Sequence, residues 1–239
     1  MFSWLRRRRE PLDAPRIRSR DELGDFTRVD LADLTPASEE LVARAVLLEL
    51  YLVEETSACL RETEDLGIKQ VLASVAGVSL RRNDALVGLV RDGDGGTVAG
   101  VLQPFAAESR AFATRVATED WHERLLSVYV AGGFLEDFYA QLALGLAGDT
   151  RTRMTDALLR DGAGPELAAL LEAEIAIDET LAARLALWGR RLVGDLLLFA
   201  RAALVPPADA QEAEARIEPV FTGLIAEHTR RMDRLGLTA

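Results

Sequence analysis

The sequence predicts an all-α fold, an up-down four-helix bundle with additional C-terminal helices. Three observations carry this. After residue 35 almost every segment repeats apolar residues at three- and four-residue spacing, no segment alternates as a half-buried strand would, and glycine, proline and capping residues separate the periodic segments. At 239 residues, 49% hydrophobic and 28% charged, the chain is long enough to bury one sizeable core.

Residues 1–34 read as a flexible basic arm and 35–239 as the helical domain. The arm opens MFSWLRRRRE, and residues 1–20 hold seven arginines against Glu10 and Asp13, a net +5 that leaves −16 of the total −11 to the rest. An acidic body argues against a nucleic-acid-binding domain, whereas Arg6, Arg7, Arg8 and Arg9 could touch an anionic surface such as nucleic acid or a membrane. Glu10, Pro11 and Asp13 fall where a signal peptide needs an apolar stretch. The longest uncharged run, Gly95 to Ala107, contains glycines and a proline and is too short to cross a bilayer. The expected location is therefore cytoplasmic. Cys59, the single cysteine, excludes an intramolecular disulfide and a cysteine-built metal site, and reads as a small core residue.

The first helix is expected from Thr35-Pro36, a cap and first-turn proline, to about Leu66, with Gly67 as its stop. The second runs from about Ile68 to Val90 and ends in RDGDGGT, which lacks the glycine and glutamate of a calcium loop and reads as a plain connection. A short helix follows Pro104. Thr118 is expected to cap the next long helix, which continues to about Ala147, and Gly148-Asp149 turns the chain into a helix broken around residues 162–165, GAGP. Asp178 should cap the fifth long helix, and a sixth follows Pro206-Pro207 and ends at Gly236.

Polar residues interrupt the inward stripes of these helices. In the first, Leu41, Ala45, Leu48, Leu52, Glu55 and Cys59 share a face; in the second, Val75, Ser79, Arg82, Leu86 and Leu89 do, with Arg81 at the edge; in the long central helix, Glu136 sits in the stripe with Asp137 beside it. Taking Gly67 and Gly148 as the centres of the two turns, Glu55 and Ser79 are equidistant from the first, and Glu136 and Arg160 are equidistant, by the same count, from the second. At about 1.5 Å per residue this predicts one polar layer containing Glu55, Ser79, Arg82, Glu136, Asp137, Arg160 and Asp161.

The stretches ETSACLRETED, VYVAGGFLEDFYAQLA, RLALWGRRLVGD and AEHTRRMDRLGL resemble actinobacterial ferritin-like proteins related to the tRNA 2-methylthio-isopentenyladenosine hydroxylase, the MiaE-like family, over about residues 40–237. That resemblance implies two metal ions held by a glutamate from each of two helices and Glu-x-x-His from each of the other two. Glu55 matches one lone glutamate, and Glu136, or alternatively Asp137, matches the other. Ser79 and Arg82 stand where one Glu-x-x-His would begin and end, and Arg160 and Ala163 where the other would. The implied di-iron site is thus degenerate. His122 and His228, the two histidines, lie far from the layer; His122 ends a Glu119-x-x-His122 pattern at the start of the central helix, about 21 Å along it from Glu136.

Buried acids without metal need another counter-charge. The expectation is that Arg82, with Arg160, pairs with Glu55 and Glu136 through the guanidinium fork. Three functions stay open: a non-catalytic interaction or scaffold module without a cofactor, acting on a protein partner or as a homo-oligomer; an iron- or manganese-dependent hydroxylase with a rearranged carboxylate site including Glu174; or a small-anion-binding bundle using Arg82. Tyr129, Tyr139, Trp121 and Trp188 are expected to be packing aromatics.

Overall fold

The computed structural model describes residues 34–93, 96–205 and 210–238, and among them there are helices and no strand. The part of the expected arm that precedes Leu34, Asp94 and Gly95 of the glycine-rich loop, and Pro206-Pro207 lie outside the described residues. Leu34, assigned from sequence to the arm, is fully buried, and its carbonyl accepts a hydrogen bond from the Val205 N–H at 3.1 Å. Packed structure therefore begins no later than Leu34.

Helices α1 (Ser38–Glu62) and α2 (Leu66–Asp92) form an antiparallel pair. Two boundary signals act differently from the expectation. Thr35 does not cap α1; its hydroxyl donates to the Leu142 carbonyl at 3.1 Å, and α1 starts without a side-chain cap. Gly67 does not stop α1 but lies in the first turn of α2. The reversal is made by Thr63–Asp65, with the Asp65 carboxylate accepting the Ile68 N–H at 2.9 Å.

A crossover follows, made of α3 (Val98–Leu102), a 3₁₀ turn (Gln103–Phe105) and α4 (Ala106–Arg115), lying against α1. It leads into α5 (Trp121–Ala143), whose cap is Asp120, accepting the Glu123 N–H at 3.0 Å. Thr118, the expected cap, instead accepts from the Asp120 N–H and donates to the Glu123 carboxylate at 2.7 Å. The start of α5 touches the end of α1, where Trp121 Nε1 donates to the Cys59 carbonyl at 3.0 Å, and its end touches the start of α1 through Thr35. Since α5 is antiparallel to α1, it is parallel to α2. One long crossover between two antiparallel pairs is the connectivity of ferritin-like bundles.

The fourth position is shared by α6 (Gly148–Leu159) and α7 (Gly164–Ile177), both packed on α2 and α5. Gly148 supplies the positive φ of +62° that turns the chain into α6. The break between α6 and α7 falls at the predicted GAGP, with Pro165 in the first turn of α7, where its missing N–H costs nothing. Helix α8 (Glu179–Ala202) is capped by Asp178, as expected, through the Thr180 N–H at 2.9 Å; α9 (Ala210–Arg234) follows, and both pack on α5. Helix α5 is central, burying Phe134, Phe138 and Tyr139 completely. The aromatic expectations hold where polar ends find partners: Trp188 Nε1 donates to Ser127 Oγ at 2.8 Å inside the core.

Candidate functional site

Three carboxyl- or guanidinium-bearing side chains from three helices meet inside the bundle. Arg82 of α2, 5% exposed, stands between Glu49 of α1, fully buried, and Glu136 of α5. Its Nη1 is in direct contact with Glu136 Oε1 and lies 3.8 Å from Glu49 Oε1. Ser79, buried one turn before Arg82, lies close enough to Glu49 to favour its charged form, yet neither Glu49 oxygen completes a hydrogen bond.

Burial, reinforced by the neighbouring Glu136 charge, pushes the Glu49 carboxyl up to about 8, against the opposing pull of Arg82 and Ser79. Burial also raises Glu136, and Arg82 counters it. The two acids share one cation, so they titrate as a pair. Because the guanidinium touches Glu136 and only approaches Glu49, we place the charge on Glu136 and the proton on Glu49. With that assignment the three side chains carry no net charge.

Of the seven residues expected in this layer, Ser79, Arg82 and Glu136 are brought together. Glu55 is not among their neighbours. It sits about 9 Å beyond Glu49 along α1 and faces Arg124 of α5 at 3.4 Å. The physical reason is the turn: centring it on Glu64 instead of Gly67 shifts the position opposite Ser79 from Glu55 to Glu49. Asp137 leaves the layer for Arg231 of α9, with which it forms a close ion pair. Arg160 and Asp161 are exposed at the end of α6, and Arg160 pairs with Asp156 at 2.7 Å rather than with either buried acid. Arg81 is exposed beside the inward-facing Arg82, as the helical spacing predicts.

Sequence reasoning missed Glu49. Its signal was present in the spacing, one helical turn after Ala45 and one before Leu52, both buried on the same face. Spacing alone also separates His122 from Glu174, yet His122 Nε2 lies 3.1 Å from Glu174 Oε2 at the junction of α5 with α7. Cys59 is buried, and burial pushes its thiol up to about 12, so it is an inert core residue.

The donor set does not fit a pair of metal ions. Arg82 holds the space between the two core carboxylates, Glu55 and Asp137 each face an arginine, and Glu174 lies at hydrogen-bond distance from His122. Among the described residues no three His, Cys, Asp or Glu side chains are grouped closely enough to hold a metal ion. A guanidinium between the two core carboxylates repels a divalent cation.

A four-helix bundle of two antiparallel pairs joined by one long crossover has the connectivity of the class of ferritin-like helical proteins. More particularly, the family model for the ferritin-like domain of actinomycetes matches residues 34–209, and the chain belongs to that family. No curated protein matches the chain. No helix among the described residues is long and apolar enough to cross a membrane.

Proposed function

We propose that the protein is a ferritin-like domain that has exchanged di-metal binding for a guanidinium-carboxylate layer, and that it serves as a non-catalytic interaction or scaffold module. The observation carrying this reading is the contact of buried Arg82 with Glu136, with Glu49 on its other side. In the MiaE-like relatives that the chain resembles, this level of the bundle is where metal ligands are expected, and here the cation is supplied by the chain itself. The layer then sets helix register between α1, α2 and α5, because any axial slip of one helix would strand a buried charge.

Without histidine beside the two acids, the site offers no ligand set for activating oxygen. What is left for partners is the outer surface.

Anaerobic loading with ferrous iron, exposure to air and metal analysis of the purified chain test the reading. The expected result is substoichiometric iron in the wild type. Iron near two equivalents per chain, lost on Glu136→Gln, would overturn it.

A further inference from the structure

A second feature of the same helices is independent of the metal question. Between α2 and α6 the surface opens into a cleft of about 350 Å³, within the range of roughly 300 to 1,000 Å³ typical of small-ligand sites. Four arginines line it: Arg81 and Arg82 from α2, Arg153 from α6 and Arg160 at the end of α6. The apolar part of its lining is Val78, Ala85 and Ala157. Such a concentration of guanidinium is unexpected on a chain of net charge −11.

The four are not equivalent. Arg82 is buried and committed to Glu136 in the core. Arg153 reaches across to α2, where Gly88 leaves room beside its guanidinium, and pairs with Asp92 at 2.8 Å while lying 3.6 Å from Asp149 on its own helix. Arg160 pairs with Asp156 on its own helix at 2.7 Å. Both of these pairs are solvent-exposed, and such pairs contribute only about 0 to 1 kcal/mol, so either guanidinium can turn toward a better acceptor at little cost. Arg81 has no carboxylate within ion-pair distance among the described residues, although it lines the cleft. Asp156 and Asp161 also line the cleft and oppose an anion there, which limits the ligand to one that several guanidiniums can hold at once.

We propose that this cleft binds a small organic phosphate monoester. The phosphate would be held by Arg81 together with Arg153 and Arg160, and the organic group would lie on Val78, Ala85 and Ala157. Guanidiniums approaching from two helices suit the several oxygens of a tetrahedral dianion better than the single edge of a carboxylate. The volume leaves space for an attached group of modest size.

Calorimetric titration of the full chain with phenyl phosphate, at constant ionic strength, tests the assignment. Saturable one-site binding is expected, weakened about tenfold in Arg81→Gln and in Arg160→Gln, the weight of one hydrogen bond between charged groups. Asp161→Asn, which removes an opposing charge, is expected to tighten binding several-fold. All three positions are exposed, so the variants should melt like the wild type. Benzoate, with a carboxylate on the same ring, is expected to bind more weakly than phenyl phosphate. No saturable heat up to millimolar phenyl phosphate, or unchanged affinity in Arg81→Gln, would overturn the proposal. Equal affinity for benzoate would overturn the phosphate assignment.

Discussion

Arg82 of α2 and Glu136 of α5 are in direct contact inside the bundle, joining two parallel helices that the chain connects only through a long crossover. Their contact is what allows a charged layer to sit among fully buried leucines, and its energetics lead to the first prediction.

Removing one partner should cost far more than removing both. Glu136→Ala leaves the Arg82 guanidinium buried without its close counter-charge and is expected to destabilise by about 3 to 5 kcal/mol. Arg82→Met is expected to cost less, because Glu136 and Glu49 can each take a proton. The double variant Arg82→Met, Glu136→Leu should lose much less than the sum of the single changes. Urea denaturation of the four proteins measures the coupling, and additivity would argue against a structural ion pair.

Glu49 gives stability a dependence on pH. Its folded value of about 8 lies above the ordinary 4.5, so its contribution is fully present below 4.5 and lost as pH rises through 8. Glu49→Gln keeps the shape and removes the charge. We expect it to flatten the decline across this window and to gain about 1 to 3 kcal/mol on the alkaline side. Melting temperatures across the pH range would show the two curves converging toward acid; parallel curves would mean that Glu49 is already ionised at neutral pH.

His228 of α9 acts in the opposite direction. It is 2% exposed, neither ring nitrogen has a hydrogen-bond partner, and burial together with the nearby Arg231 lowers it to about 4 from 6.5. A lowered histidine contributes stability that is present above 6.5 and lost as pH falls through 4. His228→Leu should therefore reduce the acid sensitivity of the protein while leaving its alkaline behaviour unchanged. Acid-unfolding midpoints read by circular dichroism distinguish the two.

Glu55, which shares a helix with Glu49, should matter little. It is about a third exposed and faces Arg124, which also pairs with Glu62, so Glu55→Ala is expected to cost no more than about 1 kcal/mol. A loss as large as that of Glu136→Ala would return Glu55 to the buried layer.

Gly133 marks how tightly α9 is held. A Cβ there would enter the space of the Arg231 guanidinium, which pairs with Asp137. Gly133→Ala is expected to destabilise by about 1 to 3 kcal/mol despite its better helix propensity, and Arg231→Ala in the same chain should recover part of that loss. Thermal unfolding of the single and double variants reads the effect.

The helical periods, the GAGP break, the Asp178 cap and the inward face of Arg82 were all legible in the sequence, because each depends on residues within a few turns of one another. Cap choice was less legible. Thr118 and Asp120 are both good caps, and only the geometry of α5 decides that Asp120 takes the Glu123 N–H. Errors of this kind are local and small. The turn between α1 and α2 was different: placing its centre at Gly67 instead of Glu64 moved the facing position on α1 by twice that displacement. A small error in the turn therefore exchanged Glu49 for Glu55.

By itself, then, the sequence determined that the chain is an all-α bundle, and that Ser79, Arg82 and Glu136 are polar residues on inward helix faces. Only the tertiary structure decided which acids meet the arginine. Periodicity states which face of a helix is buried, but an ion pair closes only when two helices share a level along their axes, and that level is set by where each turn reverses the chain.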